Sequence, residues 1–251
     1  MSELFPNQSY RRRFLQHSRL PIVITDEFDF YRCVSFDKSF YGKTVSELHS
    51  GNLRPNSPDN RYSALFPNRR VSYWADSPYT ARAEIKYHNP SNNLLTFWAY
   101  DDATSTFPTL PVDEPLVIID GLEFGFFEIL DKFEKDYSLS KKEQLLIEDI
   151  LSENPDCLAY ESLRIKGGVN YLFFEKGFYK LAIREVRLRL GDFEGKNNNW
   201  ICCAGTSDYA PYLKSYGEYF MPLARIMRDE NYVFSSEYKM RKAIYSQNKR
   251  R

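Results

Sequence analysis

The run Phe28-Asp29-Phe30-Tyr31-Arg32-Cys33-Val34-Ser35-Phe36 alternates with a period of two, so a strand built from it carries Phe28, Phe30, Arg32, Val34 and Phe36 on one face. An aromatic face of this kind has to be covered, which commits the chain to a sheet with a packed side. Arg32 is the exception on that face. A guanidinium among core aromatics is costly unless it is paired or opens onto a polar crevice. Arg32 is therefore half of a buried ion pair or a clamp for an anionic ligand, and the strand alone supports the two equally.

A second stretch, Asn60 to Glu84, reads loop, strand, cap, helix. Val71 to Ala75 is β-prone, Ser77 is an N-cap residue, and Pro78 is pre-set for the first helical position. Glu84 falls about two turns into that helix with Thr80 and Ala81 one turn behind it on the same side. Both are small, so the carboxylate is expected to face open space. Together with Arg61, Arg69 and Arg70 on the loop and an aromatic-lined strand, it forms a candidate site for an anionic, ring-containing ligand. Singly, these residues have ordinary readings: Glu84 on a helix surface, the arginines on a solvated loop, Tyr62 and Tyr73 in a core.

The remainder of the chain constrains less. At 251 residues it is expected to build one core. Lys plus Arg and Asp plus Glu are equal at 34 each, which removes a global pull toward nucleic acid or an anionic membrane. No apolar run approaches the ~20 residues of a membrane helix, and no secretory signal is visible, so a soluble cytoplasmic protein is expected. Cys33, Cys157, Cys202 and Cys203 form no CxxC pattern and His17, His49 and His88 no HExxH, so neither a metal site nor a disulfide framework is expected. Strands are expected at Leu20 to Ile24, Leu94 to Tyr100, Pro115 to Ile119 and Tyr179 to Leu190. Helices are expected at Thr44 to His49, Glu123 to Phe133 and Lys141 to Leu151, the last opened by the capping box Ser140-Lys141-Lys142-Glu143. Ser9 to Ser18 reads as a short helix or flexible arm. The resulting division is an N-terminal arm at 1–27, a domain at 28–190 and an extension at 191–251.

The block Asp156-Cys157-Leu158-Ala159-Tyr160-Glu161-Ser162-Leu163-Arg164, followed by Gly167-Gly168-Val169-Asn170 and Leu172-Phe173, completes a pattern. With Tyr31-Arg32, with Asn60-Arg61-Tyr62-Ser63, and with Tyr73-Trp74-Ala75-Asp76-Ser77 before Glu84, it resembles the RES domain, a family of bacterial toxins that destroy NAD. The likeness covers about Phe30 to Leu190. Cys33 stands where a Tyr is common, Cys157 where Gly is usual, and the turn at Asn60 to Ser63 departs from a Gly-Arg-Trp-Asn form.

The resemblance implies a single α+β domain of the ADP-ribosyltransferase-like kind, with a mixed, split sheet flanked by helices. It implies cleavage of the nicotinamide–ribose bond of NAD+, by water or phosphate, with NAD+ as substrate and no cofactor. It also implies control by a helix-turn-helix antitoxin. Glu84 and Arg32 take the catalytic positions; Arg32, Arg61, Tyr62, Tyr73, Ser140 and Ser162 are the NAD-binding candidates. Ser140, at a helix N-terminus suited to phosphate, and Ser162, in the better local motif, compete for the family's serine. Neither is a nucleophile, because no His is spaced to activate it. Two rival readings remain. One is an ADP-ribosyltransferase acting on a macromolecule; the other is a non-catalytic module binding nucleic acid through the basic tail Lys239 to Arg251. The segment after Gly191 is open to three roles: capping the domain, binding the antitoxin or mediating self-association into a homo-oligomer.

Overall fold

In the structure, a computed structural model, Phe30 is fully buried and packs edge-on against Tyr171 and Phe173, each with ring centroids 4.8 Å away. The structure describes residues 11–13, 20–25, 29–36, 48, 51–54, 62, 65–88, 93–101, 116–191 and 198–205. In chain order the elements are β1 (Arg11–Arg13), β2 (Ile22–Thr25), β3 (Asp29–Ser35), β4 (Val71–Ala75), α1 (Pro78–His88), β5 (Leu94–Asp101) and β6 (Leu116–Asp120). They continue with α2 (Phe126–Glu134), α3 (Lys141–Ser152), β7 (Cys157–Glu161), β8 (Val169–Phe174), α4 (Glu175–Phe178), β9 (Leu181–Gly191) and β10 (Asn198–Gly205). The strands form one mixed sheet in the order β1-β2-β6-β7-β8-β4-β3-β5-β9-β10. Among the described strands, only β6 and β7 run parallel. The fold is α+β, as the sequence predicts.

Alternation along the strands sorts the side chains into two cores. Phe30, Trp74, Phe97, Tyr171 and Phe173 share one face with the partly buried Val34 and Phe36. On the other, Ile119, Leu158, Tyr160, Leu172 and Phe174 meet α2 and α3 through Phe126, Ile129, Leu130, Ile147 and Ile150. A smaller cluster joins Cys33 and Ala75 to Ala81, with Tyr31 and Ile85 packed against it. It seats α1 across the boundary between β3 and β4.

That boundary is where the sheet nearly divides. β4 pairs with β8 along its whole length, from Val71↔Phe174 to Ala75↔Asn170, but meets β3 only at Tyr31↔Ala75. At its other end, Val71 exchanges both backbone hydrogen bonds with Arg54, at 2.8 and 3.1 Å. Between these contacts the Tyr73 carbonyl accepts from the Arg32 guanidinium, a side chain replacing a missing ladder bond. The split anticipated for the sheet thus lies at β3/β4.

Several boundaries differ from expectation. The segment read as an N-terminal arm supplies β1 and β2, with Ile22 and Val23 buried. β2 is short and leans on pairing with β6 (Ile22↔Ile119 to Thr25↔Leu116), a long-range contact that local pattern does not display, and β1 pairs with β2. Beyond 190, β10 extends the sheet by pairing with β9. Helix α2 starts at Phe126 because residues 121–125 form a turn ending at Gly125, whose φ of 64° favours glycine. The helix expected at Thr44 to His49, apart from Leu48, and the tail Lys239 to Arg251 lie outside the described residues. No helix among those described is long and apolar enough to cross a membrane.

Asp156, just before β7, ties β6 to the turn after α4. It is fully buried and accepts from the Val117 amide at 2.8 Å and from Lys180 Nζ at 2.9 Å. Lys180 is only 7% exposed, so removing its counter-charge strands an ammonium in the interior. Asp156→Ala is expected to destabilise the fold by about 3–5 kcal/mol, read as a lower urea midpoint, whereas a change under about 1 kcal/mol would show the pair to be dispensable.

Candidate functional site

Helix α1 begins as its sequence dictates. The Ser77 hydroxyl accepts from the Thr80 amide at 3.1 Å, and Pro78 fills the first helical position. Two turns on, Glu84 is half-buried, and two side chains donate to its Oε1: Ser162 Oγ at 2.7 Å and Asn170 Nδ2 at 2.8 Å. The carboxylate does not face open space at Oε1, where these two donors sit. The small residues one turn back admit the turn at 162–168 instead: a Cβ on Gly168 would lie 3.0 Å from Thr80 Cγ2 and Oγ1.

Ser162 directly follows β7 and is 6% exposed. Its Oγ accepts from the amides of Arg164 and Ile165, both at 3.1 Å. With both lone pairs used, its proton has one direction left, toward Glu84. The Ser162 amide donates to the Gly168 carbonyl at 2.8 Å, closing a turn in which Gly167 adopts a φ of 76°. Asn170 projects from β8 at the register position opposite Ala75 on β4 and Tyr160 on β7, and is 4% exposed. Asn170 is not among the sequence-derived candidates, although it ends the Gly-Gly-x-Asn motif; its position beside Glu84 is set by β8 pairing. The geometry selects Ser162, not Ser140, as the serine that touches the carboxylate.

Arg32 is 9% exposed and, among the described residues, has no ion pair. Its Nε is buried without a partner, and burial, followed by the nearby Arg54 charge, lowers its pKa to about 10. Of the two readings open for this residue, the buried ion pair is not realised among the described residues. Its register partner on β5 is Phe97, on the sheet face opposite α1, and its guanidinium reaches the β4 edge at Tyr73 without contacting Glu84. Cys33, beside it, packs under α1, and burial pushes its thiol up to about 11.

Other candidates are placed elsewhere. Tyr62 is fully buried; its hydroxyl donates to Glu134 Oε1 at 2.6 Å and its ring lies edge-on to Tyr73 and Tyr160. It is a core residue and has no face left for a ligand ring. Tyr73 is half-buried, its hydroxyl accepting from the Tyr62 amide at 3.3 Å. Ser140 is exposed and occupied as an N-cap: its Oγ accepts from Glu143 N, and its own amide donates to Glu143 Oε2 at 2.8 Å. Arg69 donates to Asn154 Oδ1 at 3.2 Å and Arg70 pairs with Glu175 at 2.7 Å, so both loop arginines are engaged away from Glu84. Arg61 lies outside the described residues. Among those described, no cluster of His, Cys, Asp and Glu is arranged to hold a metal ion.

A family model described as the RES domain matches residues 29–192, a span that includes Arg32, Glu84, Ser162 and Asn170. Among solved structures, the crystal structure of the M. tuberculosis MbcT–MbcA toxin–antitoxin complex contains a similar chain at 12% identity. That alignment covers 63% of this chain and 82% of the other with a TM-score of 0.34, a likeness too remote to carry a functional argument. No curated protein matches in sequence.

Ser140 and Glu143 are expected to act on stability alone. Ser140→Ala should cost about 1 kcal/mol in urea unfolding. The Lys132 ammonium, then the Ser140 amide, hold the Glu143 carboxyl down from 4.5 to about 2. A depressed folded-state pKa stabilises above the unfolded value and is lost as pH falls through the folded one. Glu143→Gln should therefore flatten the pH dependence of stability between about 4.5 and 2, and an unchanged profile would count against the Lys132 pair and, after it, the capping box.

Proposed function

The chain belongs to the RES domain family, and on that premise we propose that it is a toxin that cleaves the nicotinamide–ribose bond of NAD+ and is held in check by a helix-turn-helix antitoxin. The observation that carries the chemistry is the convergence of Ser162 and Asn170 on one oxygen of Glu84. Two donors on Oε1 fix the plane of the carboxylate, the condition for a group that must meet developing positive charge without reorganising.

In the proposed reaction the glycosidic electron pair leaves with the pyridinium nitrogen, so nicotinamide departs neutral and needs no general acid. The positive charge passes to the ribose as an oxocarbenium-like state. Glu84 stabilises that charge or orients the attacking oxygen, and water or phosphate closes the bond to give ADP-ribose or its 1-phosphate, losing a proton to solvent if water attacks. Ser162 serves as an orienting donor; its hydroxyl, turned to Glu84, is unsuited to attack. Arg32 and Arg61 supply cations for the pyrophosphate, and Tyr73 an aromatic wall beside the joint. Arg32 lies on the sheet face opposite α1, so in this role it serves through the gap between β3 and β4, with the donors left after its bond to Tyr73.

Purified protein without antitoxin, incubated with NAD+ with and without phosphate, is expected to release nicotinamide, and Glu84→Gln to lower the rate by roughly 100-fold or more. Chromatography of the ADP-ribose products names the nucleophile. Intact NAD+ with folded wild type would sink the cleavage reading, and label transferred to a macromolecule would replace it with the transferase.

A further inference from the structure

Beside the Glu84 cluster stand two charged side chains without a part in the chemistry above, Arg164 and Glu134. The Arg164 guanidinium carbon lies 3.4 Å from the centroid of the Tyr87 ring. Its Nη2 is 3.5 Å from Glu134 Oε2, the two side chains being 20% and 23% exposed. Glu134 Oε1 accepts from the Tyr62 hydroxyl at 2.6 Å. One cation thus meets α1 through Tyr87 and the end of α2 through Glu134.

The backbone of the same residue holds the serine. Arg164 N donates to Ser162 Oγ at 3.1 Å, one of the two bonds that leave the hydroxyl proton for Glu84. Tyr87 lies three residues beyond Glu84, so both project from neighbouring positions on the same side of α1. Fixing the guanidinium on Tyr87 therefore fixes the turn against the helix that carries the carboxylate. An exposed ion pair alone is worth little, and Tyr87 is itself exposed, but a cation held between a ring and a carboxylate whose side chain is 23% exposed is restrained in orientation as well as distance.

We infer that Arg164 is a positioning residue, acting through Ser162 to hold the Glu84 carboxylate in place, with Tyr87 and Glu134 as its anchors. The inference rests on the proposed NAD+ cleavage for its kinetic readout only. The experiment compares wild type, Arg164→Ala, Arg164→Lys, Tyr87→Leu and the Arg164→Ala/Tyr87→Leu double variant in NAD+ turnover. In parallel, the 13Cδ resonance of Glu84 is followed at fixed pH. Arg164→Ala is expected to lower kcat roughly 10- to 100-fold with KM nearly unchanged and to move the Glu84 signal. Arg164→Lys, which keeps a cation over the ring, is expected to restore part of both. The double variant should be little worse than Arg164→Ala, since both changes break one contact. A raised KM at constant kcat would make Arg164 a direct substrate contact and overturn the proposal, as would a lowered Tm with kcat and the Glu84 signal unchanged. If wild type leaves NAD+ intact, the cleavage reading fails while the Glu84 signal still decides: moved by Ala and restored by Lys supports positioning, and an unmoved signal overturns it.

Discussion

A backbone carbonyl buried at the edge of a strand must find a donor, and the Tyr73 carbonyl sits where the sheet offers none. Arg32 supplies it, reaching across from β3 to a position between the Arg54 and Tyr31 contacts. Without that bond the β3/β4 joint has a single register pair to hold it. The arginine's burial is therefore explained in part by the sheet itself. The same divergence gives α1 its seat, because Ala75, Ala81 and Cys33 are small enough for the helix to lie close over the joint. A residue that looks like a ligand clamp in sequence also acts as mortar between two half-sheets.

On the other face, geometry assigns chemistry by exclusion. A serine hydroxyl has one proton and two lone pairs, and the two amides after Ser162 occupy the lone pairs. What remains is donation to Glu84. Asn170 has no such ambiguity, since its amide nitrogen only donates. The carboxylate is thus gripped by neutral donors that keep their protons, which suits a reaction whose leaving group needs no general acid.

Signals within one element were legible. The alternation of β3, the Ser77-Pro78 start of α1 and the Ser140 capping box are all realised because each depends on residues a few positions apart. The environment of Glu84 was not, because its donors lie 78 and 86 residues away in sequence. Small neighbours suggest room for the carboxylate, whereas they make room for another segment of chain. Tyr62 shows the same limit: an aromatic next to Arg61 suggests stacking, yet its hydroxyl bonds to Glu134, 72 residues on. The choice between Ser140 and Ser162 likewise waited on tertiary contact, since both sit in respectable local motifs.

Those separations bear on how the protein comes off the ribosome. Synthesis delivers Glu84 well before Ser162 and Asn170, and the turn that presents the serine closes only when Gly168 is available to accept from the Ser162 amide. β2 must likewise wait for β6, nearly a hundred residues later in the chain (Ile22↔Ile119). Long-range pairings of this kind form late. A nascent or prematurely terminated chain therefore carries the carboxylate without its donors, and the cell that makes this protein meets the assembled cluster only after translation has passed residue 170 of 251.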